Sequence, residues 1–335
     1  MGSIKAAVVG LGLGQHFVRG LVGHSDVDRV VLVDLDADQA EMVRREHDKV
    51  DAVYEMIEVM LEKERPDAVC VVTPDHLHRP HSTACFEAGS HVLQTKPLAT
   101  NLEDARAILA AAKATGKKVM VAHERRFRPR FKRIKAILDA GEVGDLIHLR
   151  IDAVQDKRGQ FARSPWYASV EAGRSALNGS GIHEVDLARH FAGRPVESVC
   201  AFANRLGNLE FPRDKTTSAL FQFAGGVVGQ VTVTYEARWP RSNFLDDMFR
   251  VVASEGMIVG THVYREGAEE WEDLSGLDNS TASGITGAVC AFVDSVVNDA
   301  PIAVTGEDAF DSLAAACAAD TSAARGEMVR PETLD

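Results

Sequence analysis

The stretch VVGLGLGQHF, Val8–Phe17, decides how this chain is read. An apolar run, KAAVVG, ends in three alternating glycines, Gly10, Gly12 and Gly14, and a helical pattern, QHFVRGLVGH, follows at once. Glycines between a strand and a helix allow a tight turn and let the backbone come against a pyrophosphate at the helix N-terminus. Leu13 and Gln15 lie in the same turn and join the candidate contacts. A strict G-x-G-x-x-G would put its third glycine at Gln15, so the spacing alone leaves open a plain strand–helix turn. The context favours a dinucleotide. The next apolar strand, VDRVVLVDLD, closes on Asp34, a carboxylate placed to take the ribose hydroxyls and to repel a 2'-phosphate. The expected cofactor is NAD rather than NADP.

Outward from this turn, strand and helix patterns alternate. ADQAEMVRREH is helical, PDAVCVVTP reads as the third strand, HSTACFEAG as a helix, HVLQTKP as a strand and KKVMVAH as the last strand of the series. Between the last two, NLEDARAILAAAKATG is a helix with Asn101 as N-cap and Gly116 past its end. Short apolar strands alternating with helices imply a parallel sheet covered on both faces. After about residue 145 the pattern changes to strands in a run: DLIHLRIDAV, ESVCAFANRL, KTTSALFQFAGGVVGQVTVTYEAR and FRVVASEGMIVG. FAGG supplies a hairpin turn, and one helix, GIHEVDLARHFAG, interrupts the series. The fold class expected is α/β followed by α+β. Residues 1–123 form a Rossmann dinucleotide-binding domain, and 124–335 a mostly antiparallel sheet domain for substrate and oligomerisation. The helices of about 285–335 are placed to return to the first domain.

A net charge of −12 with no Lys/Arg-rich run on a large scale excludes nucleic acid as the expected partner, because phosphate backbones are bound by clustered cations. HERRFRPRFKR is basic, but it reads as the helix that leads from one domain to the next. Cys70, Cys85, Cys200, Cys290 and Cys317 form no C-x-x-C pair, which suits reduced thiols in a cytoplasm. No stretch of about 18 apolar residues indicates a membrane span. His76, His78 and His81 crowd one loop, yet no cysteine or acidic partner flanks them at metal-ligand spacing, so no metal is expected.

Several segments taken together, in order, resemble the Gfo/Idh/MocA oxidoreductases, the glucose-fructose oxidoreductase and inositol dehydrogenase-like family. They are the glycine loop, VVTPDHLH, CFEAGSHVLQTKPLA, HERRFRP, GIHEVDLARHFAG and APIAVTGEDAFDSLAAACAAD. The resemblance covers nearly the whole chain. It implies that Lys96 sits beside the nicotinamide and contacts the reacting hydroxyl, with a Lys–Pro bond that is often cis. A cation suits an oxygen on which alkoxide character develops. It implies that His183 is the general base, a role suited to a group that titrates near neutral pH. Thr73, Pro74 and His78 are implied in the cofactor loop. Arg126 is implied near the floor of the site, and Trp166 near its mouth, where stacking on a sugar ring and a core role are both open. Asn178 is a polar neighbour of the base. Asp186, one turn after His183, is left between substrate contact, orientation of the histidine and a helix ion pair.

The chain also departs from the family pattern. An aspartate usually stands four residues before the histidine; here the residue is Gly179. EAGRSALNG keeps Gly173 but continues with Arg174 and Ser175, and Thr95 replaces a glutamate before Lys96. Arg174 is a candidate contact for a carboxylate or phosphate, the plainer reading being a solvated arginine. The implied activity is hydride transfer between a nicotinamide and a hydroxyl carbon of a sugar, polyol or cyclitol bound between the domains, in a homodimer or homotetramer. The alternatives are a redox-neutral glycosidase that uses NAD transiently and a non-catalytic NAD-binding protein.

Overall fold

The structure, a computed structural model, describes residues 2–238 and 249–334. It falls into two compact units, Met1–Phe127 with Ser280–Phe310, and Arg128–Asn279 with Asp311–Asp335.

The first unit runs β1 (Ile4–Val9), α1 (Gly14–Val22), β2 (Val27–Val33), α2 (Ala37–Arg45), β3 (Val50–Tyr54), α3 (Ile57–Glu64), β4 (Ala68–Val71), α4 (His78–Glu87), β5 (His91–Thr95), α5 (Leu102–Thr115) and β6 (Val119–Ala122). Its six strands lie in the order β3-β2-β1-β4-β5-β6, and every pairing is parallel. Strands β4 and β6 are buried at every residue, as a sheet covered on both faces requires. The strand order reverses between β1 and β4, and in such sheets ligands bind at the carboxyl ends beside that reversal. Helix α5 is capped as expected: the Asn101 side chain accepts from Asp104 N–H at 2.8 Å, and Gly116 takes φ 65°.

The sequence pattern passes over β3 and α3, so PDAVCVVTP is the fourth strand rather than the third. The reason is physical. β3 is an edge strand, mostly half-buried, with the charged Asp51 inside it, and it lacks the continuous apolar run of its neighbours.

The second unit contains α6 (Pro129–Asp139), β7 (Leu146–Val154), α7 (Arg158–Arg163), α8 (Ala176–Gly179), α9 (Ile182–Ala192), β8 (Val196–Asn204), β9 (Thr216–Phe223), β10 (Val228–Thr234), β11 (Phe249–Ala253), β12 (Gly256–Val259), β13 (His262–Arg265) and β14 (Glu272–Asp273). These strands form one sheet, β14-β13-β12-β11-β7-β10-β9-β8. Its pairings are antiparallel except β7 with β10. The hairpin between β9 and β10 turns at Gly225 (φ 77°) and Gly226 (φ 85°), where positive φ calls for glycine. Along β9, Thr217, Ala219, Phe221 and Phe223 are buried while Ser218, Leu220 and Gln222 are exposed. That period of two marks one covered face and one open face. The covered face packs with Val185, Ala188 and Phe191 of α9 in one core.

Two long helices end the chain, α10 (Thr281–Val297) and α11 (Gly306–Arg325). They do not return to the first unit as one piece. α10 packs on α1, where a Cβ on Gly20 would stand 3.0 Å from Val289 Cβ. Residues 311–335 belong instead to the second unit. There Ala315, Ala316, Ala318 and Ala319 enter the core, and the Ser322 hydroxyl accepts from Ala201 N–H at 2.9 Å. Small side chains are what let this stretch lie close to the sheet. Among the described residues no helix is long and apolar enough to cross a membrane.

Candidate functional site

The glycine loop sits at the carboxyl end of β1. Gly10 takes φ +90°, and a Cβ there would stand 2.6 Å from the Val72 carbonyl oxygen, so the loop needs glycine to pass the end of β4. Gly14 is buried, and its Cβ would meet Val8 Cγ1 at 3.1 Å. Gly12 differs: nothing lies within 4 Å of where its Cβ would be. No packing contact demands glycine at that point, which fits a loop kept bare for a ligand. Leu13 precedes α1 without a capping side chain, and the first turn holds no acidic residue, so the helix N-terminus remains suited to an anion.

Asp34 follows β2 directly. Its carboxylate accepts from Leu11 N–H at 2.6 Å and from Asp36 N–H at 2.9 Å, so it fastens the glycine loop to the next turn. A carboxylate accepts about four hydrogen bonds, which leaves capacity for ribose hydroxyls. The same side chain lines a cavity of about 360 Å³ with Val9, Gly10, Thr73 and Pro74. The cavity also takes Leu35, Glu55, Met56, Glu58, Leu77 and His81, which the sequence motifs do not single out for this site. Glu55, Met56 and Glu58 carry no local signal because they follow the edge strand β3, whose own pattern is weak. Leu35 is 88% exposed, an apolar surface of the kind a base can cover. His81 donates to or accepts from the Thr73 hydroxyl at 3.0 Å, and burial holds its pKa below the usual value.

Lys96 follows β5 on the same carboxyl edge, half-buried, with a cis bond to Pro97. Its mount is fixed from below. The fully buried His78 ring lies 2.8 Å (Nδ1) from the Pro97 carbonyl and 3.1 Å (Nε2) from the Thr73 carbonyl. Gln94 Nε2 donates to Pro97 O at 3.1 Å and also to Leu98 O. His78 therefore ties the lysine turn to the loop that holds Thr73 rather than presenting a surface of its own. Arg126 lies in the first unit as well, where its guanidinium pairs with Asp308.

In the second unit, His183 occupies the first turn of α9, half-buried between buried neighbours. Its helix is set by close packing. A Cβ on Gly181 would stand 2.4 Å from Val233 Cγ2, and the Tyr235 hydroxyl donates to Ala176 O at 3.2 Å. Asn178, 5% exposed, closes a capping box: its Oδ1 accepts from Ser175 N–H at 2.8 Å, and Ser175 Oγ accepts from Asn178 N–H at 3.0 Å. Asp186, 1% exposed, accepts from the Ser312 hydroxyl at 3.0 Å, which also accepts from Arg189 at 2.7 Å. Trp166 stacks on Tyr167 with ring centroids 3.9 Å apart. Arg174 is not the solvated arginine of the plainer reading: it is 3% exposed and lies over both rings.

Among the described residues one group of three metal-ligand types comes together elsewhere, His24, Asp26 and Asp294. His24 Nδ1 accepts the Asp26 N–H at 3.2 Å, so the proton of a neutral ring sits on Nε2, 3.6 Å from Asp294 Oδ1. A metal would need that nitrogen bare. The arrangement reads as a polar tie between the end of α1 and α10.

Comparison with known proteins fits this architecture. Residues 4–123 match the model of an oxidoreductase family with an NAD-binding Rossmann fold, and residues 131–259 match the GFO/IDH/MocA C-terminal domain. Inositol 2-dehydrogenase 1 of Saccharopolyspora erythraea is 38% identical over 245 residues, 71% of this chain and 69% of that protein. The NAD(+)-dependent scyllo-inositol 2-dehydrogenase of Bacillus subtilis is 30% identical over 267 residues, 77% of this chain and 74% of that one. An oxidoreductase from Agrobacterium radiobacter, crystallised in complex with NAD+ among other ligands, shares the fold with a TM-score of 0.86 at 20% identity, covering 98% of each chain. This chain belongs to the Gfo/Idh/MocA family of NAD-binding oxidoreductases.

Proposed function

We propose that the protein is an NAD-dependent dehydrogenase of a polyol, sugar or cyclitol. The carrying observation is that Lys96 stands on the same strand edge as the glycine loop and the Asp34 cavity, on a mount held by His78 and Gln94. The residues fit a dinucleotide: Gly12 is open to close approach, α1 offers an uncapped N-terminus, and Asp34 has acceptor capacity beside an apolar surface. When bound, the nicotinamide supplies the hydride acceptor. Gly10, Gly12, Leu13, Gly14 and Gln15 hold the pyrophosphate; Asp34, Thr73 and Pro74 border the adenosine half.

Lys96 donates to the reacting hydroxyl oxygen and stabilises the negative charge that grows there as the carbon gives up hydride. An imidazole nitrogen of His183 accepts the hydroxyl proton. Asn178 and Asp186 hold that histidine's surroundings in place, and Trp166 offers a ring face. The relatives named for inositol support a substrate whose reacting group is a secondary alcohol. Asp34 supports NAD over NADP. On the open face of the second sheet Phe202 is 79% and Leu220 50% exposed, which supports a homodimer or homotetramer in solution. Five free cysteines, with burial pushing Cys317 up to about 12, support a reducing, cytoplasmic setting.

The test is a thermal-shift titration with NAD and NADP, followed by NADH formation across a panel of polyols, aldoses and glycosides. A ligand that binds only the folded state adds about 2.7 kcal/mol at a hundred times Kd. Stabilisation by NAD together with NADH from one alcohol class supports the reading. Glycoside cleavage with no NADH would point to the redox-neutral glycosidase, and NAD binding with no turnover of anything to a non-catalytic protein.

A further inference from the structure

The cavity beside Asp34 is lined by charge of one sign. Three carboxylates border it, Asp34, Glu55 and Glu58, and among its described lining residues there is no lysine or arginine. The one imidazole in the lining is that of His81, whose pKa burial lowers against the opposing pull of Glu58. The apolar part of the wall includes Leu35 and Met56, both exposed, side chains that a base can cover.

The three carboxylates differ in how they are held. Both oxygens of Asp34 already accept backbone N–H groups, from Leu11 at 2.6 Å and from Asp36 at 2.9 Å, so this side chain is fixed and its charge is partly offset. The Asp34 N–H donates to the Tyr54 carbonyl at 3.1 Å, which sets the turn after β3, with Glu55, beside Asp34. Glu58 follows in the first turn of α3. Glu55 and Glu58 are exposed, and among the described residues neither has a hydrogen-bond or ion-pair partner. NADP differs from NAD by one phosphate ester on the adenosine ribose. Such a group carries about −1.5 to −2 charges at pH 7. A site that takes it supplies a cation, typically an arginine. Salt screens exposed charges only beyond about 8 Å, so a phosphate seated in one cavity with three carboxylates is repelled by all of them. Neutralising Asp34 leaves two.

We propose that Glu55 and Glu58 are specificity-determining residues that exclude the phosphate of NADP together with Asp34, so that Asp34 alone does not set the choice of cofactor. The proposal rests on the dehydrogenase reading above and deepens its cofactor assignment. Asp34 acts by hydrogen bonds and by charge; Glu55 and Glu58 act by charge.

The experiment titrates NAD and NADP into the full chain, freed of any copurified cofactor, at about 0.05 M and about 0.5 M salt. The proteins are the wild type, Asp34→Asn, the double variant Glu55→Gln/Glu58→Gln and the triple variant. The wild type is expected to bind NAD about a hundredfold more tightly than NADP, with a preference that narrows at high salt. The double variant should tighten NADP about tenfold, change NAD by less, and lose much of that salt response. Asp34→Asn alone should leave NADP well below the affinity reached by the triple variant. An Asp34→Asn protein that binds NADP as tightly as the triple variant, or a double variant with wild-type NADP affinity, would overturn the proposal. Should Asp34→Asn fail to fold, the double variant decides, since both of its positions are exposed. A wild type that binds NADP as tightly as NAD overturns the proposal and leaves the dehydrogenase reading standing; a wild type that binds neither removes both.

Discussion

Gly10–Gly14 in the first unit and Gly173–Gly179 in the second are both glycine-bearing turns that lead into a helix, and their glycines serve different ends. At Gly10 the missing Cβ makes room for backbone, the Val72 carbonyl; at Gly12 it leaves a surface bare. At Gly179 it makes room for the chain's own Arg174. The first kind of glycine can be read from sequence, because the strand, the turn and the helix around it are local. The second cannot, because its meaning depends on where a long side chain five residues earlier comes to rest.

The largest expected effect lies at the helix that follows the second turn. His183→Ala should lower kcat by about 10²–10⁴-fold, the range for loss of a general base, with stabilisation by NAD retained. Equal turnover in the variant would remove His183 from the chemistry.

Gly10→Ala and Gly12→Ala should split cleanly. Alanine at φ +90° and 2.6 Å from a carbonyl oxygen should cost about 2–4 kcal/mol of stability. Gly12→Ala meets no atom and no left-handed φ, so it should leave stability unchanged or raise it by about 0.4–1 kcal/mol. It should nonetheless weaken NAD binding at least tenfold. Denaturant melts and NAD titrations of both variants test the contrast; a destabilised Gly12→Ala would break it.

Gly179→Ala should cost less than Gly10→Ala, about 1–2 kcal/mol, because the opposing atoms end a side chain that can turn aside. Arg174→Ala should remove most of that cost in a double-mutant cycle. Additive effects would mean that the two positions do not share the space.

The smallest effect concerns pH. Burial raises Asp320 from 3.8 to about 6, against the opposing hydrogen bond from Ser175 and the charge of Arg213. Between about pH 4 and pH 6 the folded state holds a proton the unfolded chain has lost, so this carboxyl makes stability fall as pH rises through that window. Asp320→Asn should flatten that slope and raise Tm at pH 8 by a few degrees. An unchanged slope would contradict the assignment.

Much of the fold is legible in the sequence because its signals are local. Asn101 and Gly116 bound α5, Gly225 and Gly226 turn the hairpin, and Gly193 ends α9 at φ 60°. The glycine loop, Asp34, the Lys96–Pro97 turn and the His183 helix are likewise marked by the residues on either side of them. What stays hidden depends on long-range contact. β3 gains its place only by pairing with β2, and with it Glu55, Met56 and Glu58 reach the cavity beside Asp34. Asp186 is tied to Ser312, far along the chain, and the split of the C-terminal helices between the units follows from small residues meeting separate cores.

The most direct measurement compares NADH formation by the wild type and by Lys96→Ala at saturating NAD, with NAD affinity measured beside it. The expected result is NADH from at least one polyol, a loss of about 10²–10³-fold in kcat on substitution, and an NAD affinity that stays the same. Equal rates in the two proteins, or a wild type that binds NAD and oxidises no alcohol, would contradict it.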